Sequence, residues 1–295
     1  MAVIKETPGD RIFRALCYFI MTLLLLLVLC PLIFVCSASV SDPSMVASGK
    51  VLLLPKGFTL DGYRRVFQDK SILTGYANTI FYTTVGTLIN LAVTVPAGYA
   101  LARSTLPGKK FFMTYFMIPM YFGGGLIPTF LVVNALHLYN TRAVMVLLYA
   151  FSMYNCIICR TFFSSLPKEV EEAAIIDGCT SFQVFWQIVL PLSKALMGVM
   201  VLYFAVAHWN TYFSALIYLR DTDKHPLQLV LRKILVLESA SDDMIGMEEA
   251  ALAKLQLKEL VKYAVIVVSS LPVLILYPFL QKYFDQGVMI GSVKG

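Results

Sequence analysis

The side chains of this chain that carry charge gather in a few short stretches. One of them reads "KEVEEAAIIDGCTSFQVFWQIVLP", residues 168–191. Glu169, Glu171 and Glu172 crowd its start, Asp177 and Gly178 follow, and Phe182, Phe185 and Trp186 precede Pro191. Acids so placed serve a metal or an acid–base reaction only when ligands or proton partners stand at the right spacing. Here the three histidines, His137, His208 and His225, are scattered, with no paired His on one helix face and no carboxylate at ligand spacing. No phosphate-cradling G-x-x-x-x-G-K-[ST] loop and no G-x-S-x-G nucleophile turn occurs. Cys156 and Cys159 have redox-motif spacing but apolar surroundings, so they read as small hydrophobes in a core. The formal net charge of +6 is spread over loops and forms no basic stripe for nucleic acid. The acids are left with a mechanical part: a charged knob that a partner grips, or an interfacial loop lying on a membrane.

Local rules give this stretch a shape. Pro167 suits a first helical turn, where its absent N–H would be unpaired anyway, and the three glutamates complement the helix dipole. Val170, Ala173, Ala174 and Ile176 fall on one face. Gly178 suits a left-handed residue just past the helix end. Thr180 or Ser181 can cap a second helix that ends before Pro191. The expectation is a short helix, a tight turn and a second short helix over 167–191.

The rest of the chain is apolar. It is 58% hydrophobic and only 14% charged over 295 residues, with a mean hydropathy of +0.74. A soluble chain carries about a quarter charged residues, so the solvent of this one is lipid. Spanning a bilayer takes about 20 apolar residues in a helix. Six spans are expected, at about 15–36, 74–102, 111–134, 143–162, 195–219 and 261–281. Backbone groups in lipid must bond within their own segment, so these are helices, and runs of this length do not suit barrel strands. The fold class is an all-α membrane protein, one domain over 1–295. The first span is read as uncleaved, despite basic Lys5, Arg11 and Arg14 before it and Ser37, Ala38 and Ser39 after it, because its apolar run exceeds that of a signal peptide. Six spans put both termini on one side. Those three cations, with Arg103, Lys109 and Lys110 between the second and third spans, make it the cytoplasmic side, and place the 167–191 unit there too.

Within the third span, Gly123, Gly124, Gly125 and then Pro128 fit either close helix packing or a broken helix lining a pathway. Residues 247–260 are expected to form a solvated helix, with Glu248 and Glu249 early and Lys254 and Lys258 late. The span interiors offer no carboxylate for a proton relay, which disfavours an ion-driven carrier. Polar and aromatic groups that could touch a transported solute are His208, Trp209, Asn210 and Tyr212 in the fifth span. Tyr121, Asn134, Tyr154 and Asn155 are further candidates. Core packing or helix–helix hydrogen bonding is the alternative for each.

One long pattern goes further. Glu172-Ala173-Ala174, three residues, Gly178, nine residues, Ile188, one residue and Leu190-Pro191 resembles the EAA loop of bacterial ABC importer permeases. Trp209-Asn210 resembles a pair in the carbohydrate-uptake branch, specifically its MalG-like subunit in the maltose transporter. The ending "QKYFDQGVMIGSVKG" resembles that subunit's tail, and "GGGLIPTF" at 123–130 is similar to the LplC-like permeases for complex oligosaccharides. Cys179 departs from the pattern, where a small residue is usual. The resemblance covers essentially the whole chain.

It implies a type I ABC importer permease with six transmembrane helices in the bacterial cytoplasmic membrane, importing oligosaccharide by alternating access. It implies a second homologous permease, two copies of a cytoplasmic ATPase carrying ATP and Mg, and an extracytoplasmic solute-binding protein. No cofactor is bound by this chain, and no catalytic residue lies on it. Glu171, Glu172, Ala173, Ala174, Asp177, Gly178 and Pro191 would form the ATPase-coupling loop. The tail, residues 282–295, would bring Gly291, Ser292, Val293, Lys294 and Gly295 to the ATPase interface.

Overall fold

The computed structural model describes residues 7–103, 105–239, 260–275 and 278. Helices and turns are the only regular structure among them. The expected helix at 247–260 and the tail at 282–295 lie outside the described residues, apart from Leu260, which begins a helix. The chain divides into two compact units, one of residues 1–69 and 233–271, the other of residues 70–232 and 272–295.

In the first unit, α1 (Pro8–Ser39) starts at a capping box: the Asp10 N–H donates to Thr7 Oγ1 at 3.3 Å and the Thr7 N–H to Asp10 Oδ2 at 2.9 Å. It is exposed along its apolar length and buries only Ser37, Ala38 and Ser39, at its far end. There Ser37 Oγ donates to the Leu53 carbonyl at 2.7 Å, which pins the following loop. Short α2 (Pro43–Ala47) and α3 (Asp61–Gln68) complete this end. The apolar helix α14 (Leu260–Ile275) packs Tyr263 edge-on to Phe34 at 5.6 Å.

The second unit is built around α4 (Lys70–Ala102). Gly75, Asn78, Thr79, Tyr82, Gly86, Asn90, Thr94 and Gly98 recur every three or four residues and are all buried. Small and amide-bearing residues along one stripe let neighbouring helices approach closely and give their polar groups partners inside the molecule. The neighbours are α7 (Arg142–Leu147), α8 (Met153–Ser165) and α11 (Lys194–Trp209).

By length and composition, α1 and α4 can each cross a membrane, and two bent pairs pass the same test when each is taken as one span. The first pair is α5 (Lys109–Tyr121) and α6 (Leu126–Ala135), which meet at 116° across residues 122–125. The third segment is therefore broken at the glycine run, as the second expected alternative has the helix. The other pair is α10 (Ser181–Leu192) and α11, bent by 84°. The fourth expected span is two helices, α7 and α8, interrupted at residues 148–152. The fifth stops at Trp209 and resumes as α12 (Phe213–Tyr218) after a break at 210–212. Helix α13 (Leu227–Ser239) follows.

Candidate functional site

The unit at 167–192 has the expected helix–turn–helix shape. Helix α9 (Lys168–Ile176) follows Pro167, with Glu169 and Glu171 in its first turn. Its end is a Schellman turn. The Cys179 N–H reaches the Ala174 carbonyl at 3.0 Å, and the Gly178 N–H reaches the Ile175 carbonyl, also at 3.0 Å. Gly178 sits at φ +85°, and a Cβ there would meet nothing within 4 Å. The glycine is thus required by backbone conformation and not by crowding. Cys179, where the loop pattern has a smaller residue, is half-buried and packs on the same apolar cluster as Ala174. That is the hydrophobic contact this turn favours.

Thr180 caps α10 through a capping box with Gln183: the Thr180 N–H donates to Gln183 Oε1 at 2.8 Å, and the Gln183 N–H to Thr180 Oγ1 at 3.4 Å. The expected stop before Pro191 is corrected, since α10 runs through to Leu192. Its middle, Val184–Val189, is wound with wider i to i+5 bonds, the Leu190 N–H donating to the Phe185 carbonyl. Pro191 then falls in the last turn of α10, directly after this wider winding. Ser193 Oγ closes the bend by donating to the Val189 carbonyl at 2.7 Å.

The unit has an inner and an outer side. Ala174, Val184, Phe185 and Val189 are buried among Tyr99, Phe163, Leu196 and Met200. Glu172, Ala173, Asp177, Gly178 and Pro191 are exposed. Beside them Ile176 is 85% exposed, and Phe182 (72%) and Trp186 (59%) stack with rings 6.3 Å apart and nearly parallel. Large apolar groups displayed on a charged knob mark a contact surface. Glu171 differs from Glu172: its carboxylate lies 3.2 Å from Arg103 Nη2, just past the end of α4. Arg103 stood out in the sequence only as a loop cation, and nothing in its neighbours signals this contact.

The residues considered for sugar contact are dispersed. His208 is buried, with Nε2 2.7 Å from Asn90 Oδ1, and Asn90 Nδ2 donates to the Tyr149 carbonyl at the break between α7 and α8. A carbonyl only accepts, so the Asn90 amide is fixed with its oxygen toward His208, whose Nε2 therefore carries the proton. Trp209 is buried and meets Tyr76 edge-on at 5.9 Å. His208 and Trp209 are thus each held by contacts within the chain. Asn210 is exposed and donates to the Val206 carbonyl at 2.9 Å, closing α11. Tyr212 is exposed, with the Arg232 guanidinium over its ring at 5.3 Å. Tyr121, Asn134 and Tyr154 are exposed on α5, α6 and α8, and Asn155 is half-buried in the first turn of α8. Asn90 and Gly86 were missed, although the three- and four-residue stripe they belong to is visible in the sequence.

Comparison with known proteins agrees with this architecture. Residues 71–290 match the family model of the binding-protein-dependent transport system inner membrane component. The chain is 40% identical to Protein LplC of Bacillus subtilis (strain 168) over 265 residues, 90% of this chain and 89% of that protein. It is 38% identical over 286 residues to the polygalacturonan/rhamnogalacturonan transport system permease protein YtcP of the same organism, covering 97% of this chain and 99% of YtcP. Among solved structures, a chain from the crystal structure of a bacterial ABC transporter involved in the import of the acidic polysaccharide alginate superposes with a TM-score of 0.87 at 35% identity, covering 96% of this chain and 100% of that one. With a buried spine, an outward-facing knob and this match over most of its length, the chain belongs to the family of binding-protein-dependent transport system inner membrane components.

Proposed function

We propose that this chain is a permease subunit of an ATP-driven importer of oligosaccharides in the bacterial cytoplasmic membrane, and that the 167–192 unit is where a separate ATPase drives it. The observation that carries the reading is the knob itself: exposed Glu172, Ala173, Ile176 and Asp177 beside a rigid Schellman turn, on a unit whose other side is buried in the core. A second, homologous permease completes the pathway. Two ATPase copies dock on the knobs of the pair from the cytoplasm and carry the ATP and Mg, and an extracytoplasmic binding protein delivers the sugar. ATP binding favours one arrangement of the ATPase pair and sugar-loaded binding protein favours another. Each ligand shifts the same two-state equilibrium of the membrane helices from its own site. The chain itself supplies no catalytic group. The relatives' named roles in polygalacturonan, rhamnogalacturonan and alginate transport favour a saccharide, and an acidic one within that class.

The test is uptake by the reconstituted complex of this chain, its partner permease, ATPase and binding protein. Labelled oligogalacturonate should enter vesicles only with ATP, and Glu172→Ala should lower sugar transported per ATP hydrolysed. Uptake without the ATPase, driven by an ion gradient, overturns the reading. Uptake of an amino acid but of no saccharide keeps the ATP-driven mechanism and overturns the substrate.

A further inference from the structure

Helix α9 is loosely held. Of its nine residues only Ala174 is buried. A cleft of about 380 Å³, bordered by Ala102, Arg103, Phe163, Pro167, Lys168 and Glu171, opens along it. A knob that moves as a lever needs a tie to the membrane helices that survives across such a gap. An ion pair bridges it: Arg103 Nη2 with Glu171 Oε2 at 3.2 Å, with side chains 19% and 24% exposed.

The Arg103 end of the tie is itself fixed. The Arg103 guanidinium lies over the Tyr99 ring, 5.4 Å from its centre. Tyr99 in turn packs against Phe163 of α8 at 5.6 Å and Phe185 of α10 at 5.0 Å. The carbonyls of Ala102 and Arg103 accept from Lys109 Nζ at 3.2 and 3.1 Å, so the end of α4 is held from the far side as well. Glu171 is set in the first turn of α9. Adjacent residues on a helix point about 100° apart, so Glu171 can hold the spine while exposed Glu172 stays free for a partner.

We propose that Arg103 and Glu171 are a positioning pair that makes α9 and α4 move together, so that Glu171 acts inside the subunit and not at the ATPase. This rests on the reading of α9 as the coupling helix. The pair transmits motion without touching sugar or nucleotide. Its partial exposure makes it sensitive to ionic strength.

The experiment uses the complete reconstituted transporter and reads sugar transported per ATP hydrolysed. Arg103→Gln and Glu171→Gln should each lower that ratio about fivefold, the equivalent of roughly 1 kcal/mol for a half-screened pair. The exchanged pair R103E/E171R should recover to within about twofold of the parent, and Arg103→Lys, which keeps the charge, should recover in part. Arg103→Gln should leave the ATPase bound and stimulated by the binding protein. Raising salt should lower the ratio of the parent and leave that of the single variants flat. Spin labels at Ile176 and Lys110 should show a broader distance distribution in Arg103→Gln, a readout independent of turnover.

Parent-like ratios in both single variants, or an exchanged pair as poor as either alone, overturn the proposal. Loss of the ATPase from Glu171→Gln but not from Arg103→Gln also overturns it, making Glu171 an ATPase contact. Glu172→Gln and Gly178→Ala separate the two ideas. If they uncouple while the Arg103 and Glu171 variants do not, only the positioning pair fails. If they too behave as the parent, the coupling-helix reading fails.

Discussion

Two glycines show how different constraints on one residue type lead to different mutational outcomes. Gly178 has open space around it but sits at φ +85°. Even alanine is strained there, by about 1 kcal/mol, so side-chain size should matter little. Gly178→Ala and Gly178→Leu are expected to lower transport per ATP to a similar degree, measurable in proteoliposomes, whereas a crowding effect would make leucine far worse. Gly86 is the opposite case: it is an ordinary helical residue, but a Cβ would run into the His208 ring. That ring cannot swing away without giving up Asn90. Gly86→Ala should therefore destabilise the subunit by about 2 kcal/mol, within the range for overpacked cores, read as a lowered Tm in detergent. Gly86→Ala combined with His208→Ala should cost less than the sum of the two, because each relieves the other.

Among the elements, α4 is tied at three levels. At one end Asn78 Nδ2 donates to the Asp223 carbonyl at 2.7 Å, Tyr82 Oη to the Lys224 carbonyl at 2.8 Å, and the Leu227 N–H donates to Thr79 Oγ1 at 2.8 Å. In the middle Asn90 joins His208 of α11 to the broken stretch after α7, and at the other end Arg103 reaches Glu171. Asn90→Leu should leave the Tyr149 carbonyl and the His208 N–H without partners and cost about 1–3 kcal/mol, again visible as a lowered Tm. His208→Gln, which keeps a donor, should be milder than His208→Phe. The loop after α12 has its own clamp, where Asp221 Oδ2 accepts from Lys224 Nζ at 2.8 Å and from Asn140 Nδ2 at 2.9 Å. The Lys224 ammonium, and after it the Asn140 amide, hold the Asp221 carboxyl below its ordinary 3.8. A carboxylate whose folded value is depressed stabilises above the unfolded value and stops doing so as pH falls through the folded one. Hydrogen exchange at residues 220–225 should therefore stay slow down to about pH 4 and quicken only in stronger acid, and Asp221→Asn should abolish that dependence.

At the scale of the whole molecule, the exposed surfaces describe a subunit made for an assembly. Helix α1 shows its apolar side chains along its length, and Phe111, Tyr115, Ile127 and Leu131 do the same on α5 and α6. In water such a surface would aggregate; in a membrane it suits lipid tails or an apolar protein face. The knob is different, since it pairs exposed apolar rings with charge and so suits a protein partner in water. Pull-down of the complex should show the ATPase lost from a Phe182→Glu/Ile176→Glu double variant while the partner permease remains bound. Loss of both subunits together would mean that the fold, and not the docking face, was damaged.

Much of this was written in the order of the residues. Composition and run length dictate a membrane solvent, and lipid then dictates helices, because no other segment satisfies its own backbone. The knob was legible down to its turn, since Glu after Pro, Gly at the helix end and a Thr or Ser cap act over a few residues. The breaks in the third, fourth and fifth segments were less so. A hydropathy run says that a segment is apolar, not that it is straight, and residues 148–152 carry neither glycine nor proline to announce an interruption. Packing decides there: the freed Tyr149 carbonyl is taken up by Asn90, 59 positions earlier in the chain. The Arg103–Glu171 contact is of the same kind, 3.2 Å long between distant positions. Local rules cannot see such pairs, because their energy depends on which helices the fold sets side by side.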